Sequence, residues 1–150
     1  MQHNPIRKTQ TLSDVSVVPQ TRQELEAAIA KAPASHATGL TRQWLSLDGE
    51  YSKLSEQLDH INSTFPDELL SALLEAQIAS LRQALHRRAE ELADIPAAHI
   101  VETCCKCFLR ARLIAIAPDD ALTSDQLLRS IRSDLDFFGL DGENASTLCA

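Results

Sequence analysis

Cys104, Cys105 and Cys107 stand within one helical turn, and Cys149 lies far along the chain. Thiolates at that density are the donors that zinc and iron–sulfur centres take. Helix geometry keeps these three apart. At 100° per residue Cys104 and Cys107 are separated by about 60°, but Cys105 and Cys107 by about 160°, so the three cannot converge on one ion. Three cysteines in one turn suit a disulfide framework no better. They are expected to be reduced and buried as small hydrophobes, with no metal and no cofactor. Cys105 and Cys149 are the candidates for a reactive thiol, which requires an exposed thiolate of low pKa.

The histidines His3, His36, His60, His86 and His99 fall one to a segment, and no two share the spacing of a metal site or a catalytic couple. A glycine-rich phosphate loop, a GxSxG elbow and a group of convergent carboxylates are all missing from the sequence. An enzyme is not expected.

Charge is more informative. The chain has 21 acidic and 14 basic side chains, net −7, which favours solubility and works against general binding to polyanions. Residues 48–80 carry seven acidic side chains and one basic, whereas residues 81–117 carry six basic and four acidic. Arg82, Arg87, Arg88, Lys106, Arg110 and Arg112 are therefore a candidate basic patch for phosphate or an acidic protein surface. No aromatic residue is interleaved for base stacking, so a solvated face pairing with acidic neighbours is the plainer reading, and nucleic acid is a disfavoured partner. Arg88 falls on a leucine face and Arg112 within an apolar arc, so each must snorkel or meet a carboxylate in a partly buried pair. Reflection about the turn near Ile95 sets Arg88 level with Glu102, and an Arg88–Glu102 ion pair is expected.

The elements that position these residues are helices. At 150 residues, 44 % apolar, with four glycines and one each of Trp, Tyr and Met, the chain suits a single all-α domain over residues 21–140. Residues 1–20 and 141–150 are polar and read as flexible tails. Thr21-Arg22-Gln23-Glu24 has the form of a capping box, opening a short helix that Pro33 stops. Leu40, Trp44, Leu47, Tyr51, Leu54, Leu58 and Ile61 then alternate by four and three, the stripe of a long helix facing a partner helix. A second long helix, Phe65 to Ala93, follows the Pro66-Asp67 start signal, with Leu70, Leu74, Ile78, Leu81, Leu85 and Leu92 on one face. So short a link folds it back antiparallel, giving a long hairpin.

Asp94-Ile95-Pro96-Ala97 opens a third long helix, expected over Pro96 to Ala117. Its polar residues His99, Glu102, Thr103, Lys106 and Arg110 form one narrow stripe, and the remaining circumference is apolar. Such a helix must be covered from two sides. A short C-terminal helix, opened by Thr123-Ser124-Asp125-Gln126 and closed by Gly139 with Leu140 beyond it, can supply one of them. The fold expected is thus a helical bundle: the hairpin, a third long helix and a short C-terminal helix.

Trp44 to Leu113 resembles a group of small bacterial helical proteins in which an acidic amphipathic helix leads, through a longer helix, to a Thr-Pro-Ala turn followed about ten residues later by a lysine. The matching residues are Pro96, Ala97 and Lys106, while Ile95 replaces the usual threonine and Glu102 the usual small residue. The resemblance implies a helical-hairpin architecture and carries no activity with it. No stretch reaches the roughly 20 apolar residues of a membrane span, so a cytoplasmic protein with no membrane partner is expected. The function expected is a non-enzymatic helical module for protein–protein interaction or small-scale regulation, meeting a protein partner or a second copy of itself. A nucleic-acid-associated regulator and a thiol-based sensor are the alternatives.

Overall fold

Four of the five helices among the described residues begin where a side chain takes up backbone N–H groups that have no partner within the helix. The computed structural model describes residues 18–140, and the expected tails at 1–17 and 141–150 lie outside them. Thr21 and Glu24 cap α1, Arg22–Lys31, reciprocally: Thr21 Oγ1 accepts from Glu24 N–H at 3.1 Å and Glu24 Oε1 from Thr21 N–H at 3.2 Å. A second reciprocal box, Ser35 with Thr38, opens α2, His36–Thr64, about one turn before the expected start at Leu40. Asp67 caps α3, Glu68–Ala93, accepting from Leu70 N–H at 3.1 Å. Phe65 and Pro66 are therefore in the turn and not in the helix.

The two long arms run antiparallel, each close to 40 Å at about 1.5 Å per residue. Ser71 Oγ meets Asn62 Oδ1 at 2.7 Å across the turn. At the other end the buried Trp44 donates its indole N–H to the Leu85 carbonyl at 2.9 Å, fixing the register of the arms.

The third long helix starts later than its proline suggests: α4 is Ile100–Ile116, with His99 Nδ1 accepting from Val101 N–H at 3.2 Å. Proline forces extended backbone on the residue before it, and the N–H after it is drawn elsewhere, as described below. The last helix, α5, Leu122–Phe137, starts from Ala121 without a side-chain cap. Thr123, expected to open a capping box there, instead meets His86 Nδ1 at 3.1 Å through Oγ1. Its C-terminus follows the sequence closely. Gly139 has φ +77°, Leu140 N–H returns to Leu135 C=O and Gly139 N–H to Asp136 C=O, and Leu140 packs on the core.

These helices form an all-α bundle, and α4 is its centre. Residues 100–107, together with Leu109 and Leu113, are buried on it. On one side lie Leu25 and Ile29 of α1 with Trp44, Leu45, Leu85 and Leu92 of the hairpin base; on another, Ile131, Leu135 and Phe138 from α5 pack against Ala97, Ile100 and Cys107. The helix that had to be covered is covered within one chain. Residues 18 and 19, expected in the tail, belong to this packing: Pro19 is buried and Val18 lies against the second cluster.

The hairpin is covered only at its base. Every fully buried residue of α2 lies between Ala37 and Asp48, and Tyr51, Leu54, Leu58 and Ile61 beyond it are only half-buried. Complete burial of a Leu or Ile is worth ~1.5–3 kcal/mol, and the outer half of the hairpin collects only part of that at each step. Among the described residues, no helix is long and apolar enough to cross a membrane.

Candidate functional site

The middle of the narrow polar stripe of α4, Glu102, Thr103 and Lys106, is buried, and Lys106 is 0 % exposed. Its Nζ donates to Asp134 Oδ2 at 2.6 Å, Ile95 C=O at 2.7 Å and Ser130 Oγ at 2.8 Å, the three bonds an ammonium can make. Asp134 in turn accepts from Ala97 N–H at 3.0 Å and from Thr103 Oγ1 at 3.3 Å. The Pro96-Ala97 turn, α4 and α5 are thereby joined by one lysine–aspartate clasp. Ser130 beside Lys106 has the composition of a serine–lysine catalytic couple. In this arrangement Ser130 Oγ accepts from Lys106 Nζ, which is shared with Asp134 and the Ile95 carbonyl.

The six-residue basic patch does not assemble. Lys106 is inside, and Arg110 donates to Ser124 C=O at 3.2 Å. Arg112 meets Asp48 at 3.0 and 3.1 Å and Ser52 Oγ at 3.1 Å, the second of the two outcomes open to it. Arg88 pairs with Glu91 at 2.9 Å on its own helix, and not with Glu102. The reflection about Ile95 fails because residues 96–99 are not helical. Glu102 turns back to its own N-terminus, accepting from Ala98 N–H at 2.9 Å. Arg82 and Arg87 remain exposed, without an ion-pair partner among the described residues.

Cys105, expected as a possible reactive thiol, is fully buried, and burial pushes its pKa up to about 12 despite a hydrogen bond with Thr41. Cys104 and Cys107 are buried as well, and Cys149 lies outside the described residues. No group of His, Cys, Asp and Glu among the described residues is placed to hold a metal ion.

What the structure leaves open is the outer side of α3. Phe65 at the turn is 78 % exposed, Leu69 73 % and Leu73 56 %, and Ala72, Ala76, Ala79 and Ser80 continue the same side as exposed small residues. This stripe lies roughly opposite the buried Leu74, Ile78 and Leu85. The sequence reading followed that buried face and passed over Leu69 and Leu73. The available signal was the near absence of charge, since Glu75 is alone among thirteen residues from Leu69 to Leu81.

Toward the base the stripe runs into an open cleft of about 780 Å³. Arg82, His86, Arg87 and Glu90 of α3 form one wall, and Ile116, Ala117, Pro118, Asp119 and Asp120 the other. His86 Nε2, buried and without a hydrogen-bond partner, lies 3.8 Å from Asp120 Oδ2. Comparison of the chain with family models, with curated proteins and with solved structures gave no match.

Proposed function

We propose that the protein is a non-enzymatic helical interaction module that docks another helix along the outer side of α3. One observation carries this reading: Leu69 and Leu73 stand largely exposed one turn apart on α3, with Phe65 exposed in the turn before them, on a two-helix projection whose base is otherwise closely packed. An apolar stripe aligned with a helix, ending in a cleft, is the form of a helix-binding surface, whereas single exposed apolar residues such as Ile114 and Leu122 are ordinary. The small side chains at Ala72, Ala76 and Ala79 let a second helix approach closely. A regulator or adaptor of this kind needs no pocket for chemistry.

Site-specific photocrosslinking in the native cell tests this. A photoreactive residue at Ala76 is expected to give a discrete adduct that disappears when Leu69→Asp is added, while the same residue at the exposed Lys53 gives none. Equal labelling from both positions, or none from Ala76, overturns the reading.

A further inference from the structure

The docking stripe carries its own complement further along the same helix. Glu68 and Glu75 flank its outer half, and Arg82 and Arg87 occupy its inner half. All four are exposed, and none has an ion-pair partner among the described residues. At 100° per residue Glu68, Glu75 and Arg82 fall on one edge within about 40° of each other. A twofold axis perpendicular to a helix maps each edge onto itself in reversed order, so acidic residues meet basic ones across the pair.

Resting on the docking face proposed above, we infer that its occupant is the same face of a second copy, lying antiparallel. An axis level with Ile78 sets Ala76 against Ser80 and places Glu75 of each copy beside Arg82 of the other. The projecting turn of each hairpin then reaches the cleft at the base of its partner. There Leu69 and Phe65 come level with Ile116, Ala117 and Pro118, and Glu68 with Arg87, in a cleft that also holds Glu90, Asp119 and Asp120. A different axis, near Leu73, would stack more leucine on alanine, but it lays the acidic half of one hairpin on the acidic half of the other. The two central Glu75–Arg82 pairs select the first register.

Sedimentation equilibrium of the full chain from micromolar to near-millimolar concentration tests this, with Glu75→Arg, Arg82→Glu, their equimolar mixture and the double variant. The unmodified chain dimerises. Each single substitution acts at two symmetry-related pairs and weakens association roughly tenfold or more. The mixture recovers it as a heterodimer, and so does the double variant. Both positions are exposed, so unchanged helical circular dichroism and a cooperative melt verify that the singles fold. A monomer throughout, or a mixture no tighter than its components, overturns the inference. The photocrosslink separates the two levels: an Ala76 adduct of twice the chain mass supports self-pairing, a specific adduct of another mass keeps the docking face and removes the second copy, and no adduct removes both.

Discussion

Lys106 Nζ lies 2.6 Å from Asp134 Oδ2, with neither side chain open to solvent, where α4, α5 and the Pro96-Ala97 turn meet. Removing one partner of such a pair strands the other charge in the interior, which costs ~3–5 kcal/mol. Lys106→Met and Asp134→Asn are each expected to lower the urea midpoint by a corresponding amount. Replacing both with apolar residues recovers only part, because Ala97 N–H then loses its acceptor, at ~1–3 kcal/mol. Single variants within ~0.5 kcal/mol of the parent would show that the clasp does not hold the junction.

Gly49 and Gly139 should respond oppositely to alanine. At Gly139 the φ of +77° is strained for any residue with a Cβ, and Gly139→Ala is expected to cost ~1–2 kcal/mol. Within α2, a Cβ on Gly49 meets only the Arg22 guanidinium, 3.0 Å away at the end of a flexible side chain. That group can move, and its exposed pair with Glu26 is worth little. Gly49→Ala should therefore gain up to ~1 kcal/mol of helix propensity. Thermal melts read both, and a loss at Gly49 would contradict this.

The Cys105 thiol ties stability to alkaline pH. Its folded pKa, about 12, lies above the ordinary thiol value of 9.0, so the folded state prefers the protonated thiol. Its contribution is complete below pH 9.0 and is lost as pH rises from there towards about 12. The parent should lose stability relative to Cys105→Ala across that window, and a constant difference between the two would exclude the effect. Alkylation of the native chain at neutral pH should likewise leave Cys104, Cys105 and Cys107 unmodified until it unfolds.

Amide exchange should grade along the hairpin. Base amides near Trp44 and Leu85 sit in the core, whereas those of residues 58–72 lie in the uncovered outer half. Exchange in the outer half is expected to be roughly tenfold or more faster in the isolated monomer. It should slow at concentrations where the docking stripe is occupied. Uniform protection along both arms would contradict the covered-base, bare-tip description.

Local signals were legible where they act locally. Thr21 with Glu24, Asp67, and Gly139 with Leu140 announce helix ends because each bond spans only a few residues. The heptad from Leu40 to Ile61 predicts the hairpin in the same way. The burial of the stripe through Glu102, Thr103 and Lys106 is not legible locally, because the acceptor that permits it, Asp134, is 28 residues beyond Lys106 on another helix. A trace was present: Asp134 interrupts the apolar face of Leu127, Ile131, Leu135 and Phe138, and a carboxylate so placed needs a partner that only folding brings. Arg88–Glu102 failed for the converse reason, as the mirror symmetry it assumed is broken by the non-helical residues 96–99.

The indole bond from Trp44 to Leu85 has a practical consequence for anyone following this protein in solution. With one tryptophan in the chain, and that one sealed in the base, intrinsic fluorescence is an optical gauge of the bundle alone. The outer hairpin can fray, or a partner can settle on it, while the emission spectrum stays still. A label near Phe65 would make those events visible.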